Sequence, residues 1–217
     1  MDYEEFKVPV YELTQIDLNY YKERQMKRRI DALIEKHKLN GYEEFIDAIR
    51  NDKKLFEEFV NYITINVSEF FRNPEQWRIL KEEIIPMILA GRKGKIRVWS
   101  AACSTGDEPY SVAMLLSEFM PLSDIRILAT DIDDQVLEKA RAGLYSAKSL
   151  ANLPEKYLEQ FFVKVGEKNY QLSKQIKRCV EFRHHNLLKD EYPKDYDLIL
   201  CRNVVIYFTD EAKTQIY

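Results

Sequence analysis

The sequence predicts an α/β fold: a parallel, doubly wound sheet domain that follows an all-helical N-terminal domain and carries a small antiparallel β insertion. Three observations predict it. Through the first 90 residues, apolar side chains recur at helical spacing with charge between them. From residue 96, short apolar runs alternate with helices of about ten residues, as in parallel strands joined by right-handed crossovers. Between residues 155 and 185 that alternation is interrupted by runs that read as short strands around a turn.

The elements follow in order. Leu18, Tyr21, Met26, Ile30, Leu33 and Ile34 mark one helical stripe, and Asn40-Gly41 stops it with a turn. Tyr42 to Arg50 and Leu55 to Ile65 give two more amphipathic stretches. Asn73-Pro74 opens another helix through Trp77, Leu80 and Ile84, with proline in its first turn, where a missing N–H costs nothing. The Gly-Arg-Lys-Gly run at 91–94 breaks the pattern. Strands are expected at Ile96–Trp99, Ile125–Ala129 and Tyr196–Cys201, and helices at Pro109–Phe119, Asp133–Ala142 and from Asp210. FFVKV, NYQLS and CVEFRHH are expected to pair as the antiparallel insertion around a turn at Gly166 to Asn169. The domains are thus expected at 1–72 and 73–217, the latter with its subdomain at about 155–185. A doubly wound sheet normally continues past a helix like the one at Asp210, so the C-terminal end of the sheet reads as missing.

Composition narrows the function classes. The chain has 217 residues, with 33 Lys and Arg against 36 Asp and Glu, so its net charge of −3 disfavours a globally basic nucleic-acid binder. No apolar run reaches the roughly 18–20 residues of a membrane span, and the acidic MDYEEFKVPV start is no signal peptide. The spacing of Cys103, Cys179 and Cys201 suits neither a disulfide framework nor a zinc site. A cytoplasmic location is expected, without direct insertion into a membrane.

The sharpest motif is VWSAACSTGDEPYS at 98–111, a strand that runs through small residues into a helix. In a doubly wound fold this turn holds a nucleotide. The next strand ends at Asp131, 25 residues beyond Gly106, where an acid can accept hydrogen bonds from a ribose diol. Asp107 and Glu108 occupy the helix start and would repel a pyrophosphate. Neither GxGxxG nor the Walker pattern is present. A ribose-bearing cofactor with cationic groups and no phosphate fits, and S-adenosylmethionine is such a cofactor. An acidic first turn that only stabilises its helix, with Asp131 as a cap, accounts for the pieces singly but poorly for the set.

At these residues the chain resembles the chemotaxis receptor methyltransferases, the CheR family. TINVSEFFRNP at 64–74, VWSAACSTGDEPYS at 98–111, ATDID at 129–133, NLL at 186–188 and CRNVVIYF at 201–208 read like that family, in its order. The resemblance implies a Rossmann-like methyltransferase domain and transfer of a methyl group from S-adenosylmethionine to glutamate carboxylates on the cytoplasmic helices of methyl-accepting chemoreceptors, with S-adenosylhomocysteine as product. It implies that Asp131 binds ribose, that Glu108 belongs to the cofactor pocket, and that Asn186 and Leu187 contact adenine. It places Arg202 and Asn203 at the methionine end and Asn66, Ser68 and Arg72 in a pocket-closing segment. It sets Tyr207 near the transferable methyl. Ser68 and Asp107 depart from the commoner threonine and glutamate but keep the hydroxyl and carboxylate. Family members usually continue for a few dozen residues more, so a truncated, non-catalytic module that binds cofactor or receptor is the alternative reading.

No general base is expected, because a glutamate acceptor with a free pKa near about 4.3 is already ionised at pH 7. Arg72 and Tyr207 are the candidate catalytic residues, positioning that carboxylate through a charge-assisted and a phenolic hydrogen bond. Arg72 could equally hold the cofactor's own carboxylate, and Tyr207 could be a core aromatic. Cys103 reads as a packing residue, and His184 and His185 lack the partners of a metal site. Lys22, Arg24, Lys27, Arg28 and Arg29 form a basic run that reads either as a solvated face or, following the resemblance, as a docking surface for an acidic receptor helix. The turn in VKVGEKNYQLS looks too short for a receptor tether. CRNVV stands where base methyltransferases carry an Asn/Asp-Pro-Pro-aromatic motif, which argues against nucleic acid.

Overall fold

The computed structural model describes residues 1–91 and 95–217. Of the expected break at 91–94, only Gly91, which ends a helix, lies among them. The chain forms two compact units, Met1–Asn66 with Asn203–Tyr217, and Val67–Arg202.

The first unit is helical. Helix α1 (Tyr3–Thr14) starts with a reciprocal cap: the Asp2 carboxylate accepts the Glu5 N–H at 2.9 Å while the Asp2 N–H donates to the Glu5 carboxylate at 2.9 Å. Helix α2 (Glu23–Lys36) buries the stripe Met26, Ile30, Leu33 and Ile34. It ends four residues before the expected stop, because Lys38 already takes a left-handed φ of 57°. Gly41, at φ 117°, then admits the chain to α3 (Tyr42–Asn51), and the Asp52 side chain caps α4 (Lys53–Thr64). Phe6, Phe45 and Phe59 are fully buried at the centre, with Phe45 and Phe59 edge to face at 5.2 Å.

The second unit is the α/β domain. Asn73-Pro74 starts α5 (Pro74–Ile79) as expected, and a π turn at Leu80–Ile84 leads into α6 (Ile85–Ala90). Strand β1 (Arg97–Ala101), helix α7 (Asp107–Leu116), strand β2 (Arg126–Asp131) and helix α8 (Asp134–Ala142) follow. Helix α7 is apolar on nearly every side and lies against the sheet in the main core with Val98, Ile127 and Val180. Next come β3 (Leu144–Ser146), α9 (Glu155–Phe161), β4 (Phe162–Val165), β5 (Asn169–Leu172) and the single turn α10 (Lys174–Lys177). Strands β6 (Val180–His184) and β7 (Leu198–Leu200) complete a parallel sheet of order β6-β2-β1-β7.

The antiparallel sheet has the order β3-β5-β4, and this corrects one expectation. FFVKV and NYQLS do form its hairpin, turning at Gly166 with φ 64°. CVEFRHH does not join it. Val180–His184 pairs in parallel with Ile127–Asp131 in the main sheet, and Leu144–Ser146 supplies the third antiparallel strand. The reason is burial on one face only. Val180 is buried and the Phe182 ring packs 5.5 Å from Tyr110, while Glu181 and Arg183 point to solvent, an alternation that suits either sheet.

Residues 203–217 return to the helical unit. The Thr209 N–H donates to the Tyr20 carbonyl at 2.8 Å, the Lys22 N–H donates to the Tyr207 carbonyl at 3.0 Å, and the rings of Tyr21 and Phe208 meet at 5.0 Å. Helix α11 (Asp210–Ile216) follows, capped by the Thr209 hydroxyl.

Candidate active site

The carboxyl ends of β1 and β2 carry a cluster of acids. The loop after β1 is forced into tight geometry, with left-handed φ at Ala102 (59°), Ser104 (49°) and Gly106 (86°). Packing demands the glycine. A Cβ at Gly106 would lie 2.8 Å from the Ala140 Cβ and 3.2 Å from the rings of Phe182 and Tyr110. The sequence reading assigned the small residues to ligand approach, whereas at Gly106 they let α7 start close against α8 and β6.

Asp131 is held by backbone donors. The Ser104 N–H reaches one carboxylate oxygen at 2.8 Å and the Asp133 N–H reaches the other at 3.1 Å. Burial outweighs these donors and pushes the carboxyl up to about 6. The Ile132 N–H also acts on this carboxylate, and of its roughly four acceptor directions at least one stays for a further donor such as a ribose hydroxyl. The Asp131 carbonyl takes the His185 N–H at 2.9 Å, so Asn186 and Leu187 follow directly on the acid's neighbour. The Asn186 side chain closes a turn by accepting the Leu188 N–H at 2.9 Å, and Leu187 packs with Trp99, Ala101 and Leu128.

Glu108 and Asp107 form the second part. The Ser100 hydroxyl donates to Glu108 at 2.9 Å, and Arg202 reaches the other oxygen at 3.1 Å. Burial raises the Glu108 carboxyl even with Arg202 and Ser100 opposing it. Arg202 also donates to the Arg72 carbonyl at 2.7 Å and to Gln76 at 2.6 Å, and it lies 5.3 Å from the Trp77 ring. Asp107 is fully buried. Thr105 donates to one of its oxygens at 2.5 Å and Ser68 bonds its side chain, yet Oδ1 has no hydrogen-bond partner, and burial raises this carboxyl too. An orphaned buried carboxylate oxygen in an acidic cluster suits a cationic ligand and opposes a phosphate. These donors and acceptors therefore fit S-adenosylmethionine.

The structure thus brings together Ser68, Arg72, Glu108 and Arg202, with Asp131, Asn186 and Leu187 in the same unit. The Arg72 guanidinium donates to the Val67 carbonyl at 2.9 Å, so this side chain closes its own loop. Asn66, Asn203 and Tyr207 belong to the helical unit: the Asn66 amide donates to Thr64 at 2.8 Å, Asn203 takes φ 59°, and Tyr207 ends a turn whose carbonyl serves Lys22. Within the basic run, Arg29 donates to the Tyr62 carbonyl at 2.6 Å and stacks on the Tyr62 ring, whereas Lys22, Arg24, Lys27 and Arg28 are exposed. Cys103 is buried, and burial drives its thiol well above the ordinary range, as suits a packing residue. The sequence reading missed Ser100, Thr105 and Gln76. Ser100 and Thr105 stood in the motif as small residues, and nothing marked Gln76, whose role comes from a side chain 126 positions away.

Comparison with known proteins agrees. Residues 66–217 match the family model described as CheR methyltransferase, SAM binding domain, and residues 1–64 match CheR methyltransferase, all-alpha domain. A chemotaxis protein methyltransferase of Listeria innocua is 44% identical over 202 residues, covering 93% of this chain and 77% of the relative. One of Borreliella burgdorferi is 33% identical, covering 95% and 77%. Chemotaxis protein methyltransferase 2 of Vibrio cholerae is 36% identical, covering 89% and 69%.

Proposed function

The chain belongs to the CheR methyltransferase family, and we propose that it esterifies glutamate side chains on the cytoplasmic helices of chemoreceptors. The observation that carries this reading is the buried acidic cluster at the strand ends, with Asp107 Oδ1 unpaired and Glu108 held by Arg202. When bound, S-adenosylmethionine supplies an electrophilic methyl on a sulfonium, which an ionised carboxylate takes by in-line displacement, leaving S-adenosylhomocysteine.

This chain's residues bind, orient and shield. Asp131 accepts the ribose hydroxyls while Ser104 and Asp133 hold it in place. Asn186 and Leu187 line the adenine side. Glu108 and Asp107 present negative charge to the cationic end, and Arg202 with Asn203 sets that end's geometry. Asn66, Ser68 and Arg72 form the closing segment, and Arg72 and Tyr207 position the acceptor carboxylate. No residue has to remove a proton, since the acceptor arrives ionised. The work is alignment and exclusion of water. Lys22, Arg24, Lys27 and Arg28 on the α2 face steer the acidic receptor helix, while Arg29 anchors α2 to α4.

The test uses methyl-labelled S-adenosylmethionine with receptor-containing membranes, followed by alkali. Label released as volatile methanol marks a carboxyl methyl ester and supports the proposal. Alkali-stable label marks N-methylation and refutes it, and absence of label refutes receptor methylation by this chain.

A further inference from the structure

The opposite end of the parallel sheet carries a second kind of site. Side chains alternate between faces along a strand, and the register places Arg97 beside Arg126, Leu128 beside Glu181 and Thr130 beside Arg183. Arg97, Arg126 and Arg183 therefore project from the face that carries Trp99 and Leu128, away from α7. A parallel sheet is normally covered on both faces by its crossover helices. Here the connection from β6 to β7 contains no helix, and the face is covered only in part, by Leu187, Tyr192 and Tyr196 packed on Trp99. A cavity of about 420 Å³ remains beside the amino ends of β2 and β6. Its Arg126 rim lies the length of β2, roughly 17 Å, from Asp131, and the cavity runs along the strands past Leu128 and Glu181 to Arg183, on the face away from α7.

Four arginines line this cavity, 97, 126, 178 and 183, with Glu181 as its one acid. In a chain with a net charge of −3 that concentration stands out. Arg183 is paired with Glu181 at 2.6 Å, and Arg97 is 4.0 Å from Asp195. Arg126 donates only to the neighbouring Ile125 carbonyl, and Arg178 makes no side-chain hydrogen bond or ion pair among the described residues. Two guanidinium groups thus lack a carboxylate at a concave surface. Planar guanidinium forks match phosphate oxygens. Tyr196, already 4.9 Å from the Arg97 guanidinium, and Leu128 supply a flat aromatic and an apolar wall. The volume is that of a small-molecule site.

We propose that this arginine-lined cavity binds a nucleoside oligophosphate, with the phosphates on Arg126 and Arg178 and the base against Tyr196. The site is separate from the cofactor cluster and of opposite charge, and the proposal does not depend on the methyl acceptor.

Calorimetry with ATP tests it, run with S-adenosylhomocysteine in excess so that the adenosine site at the acidic cluster is filled. The expected result is one ATP per chain, an affinity that falls at least tenfold in the Arg126→Ala/Arg178→Ala double variant, and no change in Lys53→Ala/Lys54→Ala. Inorganic triphosphate is expected to bind the same site more weakly than ATP. All four positions are exposed, and circular dichroism checks that the variants fold. ATP binding that is equal in the double variant, or no binding at millimolar ATP, overturns the proposal. Triphosphate binding as tightly as ATP overturns the nucleoside part.

Discussion

The two units handle charge in opposite ways. In the helical unit every carboxylate is at least partly exposed, and the core is built from Phe6, Phe45, Phe59 and aliphatic stripes. In the α/β unit Asp107, Asp131 and Asp133 are buried, Glu108 is nearly so, and burial raises the carboxyls of Asp107, Glu108 and Asp131. Burying a carboxylate costs stability unless it is paired, so only one of the units carries that cost. The contrast teaches where function sits. The helical unit keeps its charge on the surface, where the proposed docking cations lie, and the α/β unit gives up stability to bury acids at the strand ends.

The contrast can be broken or sharpened, and the largest effect belongs to the scaffold. Phe59→Ala removes a fully buried ring and should cost about 3–5 kcal/mol of stability in denaturant unfolding. Cofactor affinity of the folded fraction should stay at the wild-type value. A parallel loss of affinity would show that the packing of the Phe59 core also governs cofactor binding. Next in size, Lys27→Glu/Arg28→Glu should raise the KM for receptor about tenfold or more, or roughly 1.4 kcal/mol, and leave kcat unchanged. Its salt dependence should flatten, and an unchanged KM would remove docking from this face. Smallest in stability but sharpest in meaning is Asp107→Asn. It replaces a buried carboxyl whose Oδ1 is unpaired, so stability in denaturant unfolding should hold or rise by about 1 kcal/mol at most, while cofactor affinity falls. If affinity holds and stability drops, Asp107 is structural.

Much of this was legible in the sequence, for local reasons. The strand-turn-helix at 98–111 and the acid at Asp131 are set by contiguous residues and a fixed interval, so fold class and the place of that acid at the end of β2 could be read. Pro74 marked a helix start because proline acts on its own backbone. What depends on register could not be read. CVEFRHH alternates as well for one sheet as for the other, and only its pairing with Ile127–Asp131 decides. Arg202 could be placed near the site by resemblance, but its grip on Glu108 joins positions 94 residues apart. Arg29 looked like its basic neighbours until Tyr62 took its donors. The four arginines are scattered through the sequence and meet only through the pairing of the strands, Arg97, Arg126 and Arg178 at or just before the amino ends and Arg183 further along β6.

The central claim is that the raised carboxyl of Asp131 is binding apparatus and no mere by-product of burial. Calorimetry of S-adenosylmethionine binding to wild type and to Asp131→Asn, from pH 5 to pH 8, tests it most directly. In the free protein the carboxyl titrates at about 6, and hydroxyl donors favour its ionised form. Affinity of the wild type should therefore be full above pH 7 and fall as pH drops through about 6, approaching tenfold per pH unit well below it. Asp131→Asn should bind more weakly at pH 8 and decline less steeply, the remaining dependence belonging to Asp107 and Glu108, whose carboxyls burial also raises. Equal affinity in the two proteins across the range, or a decline just as steep in Asp131→Asn, would contradict the account.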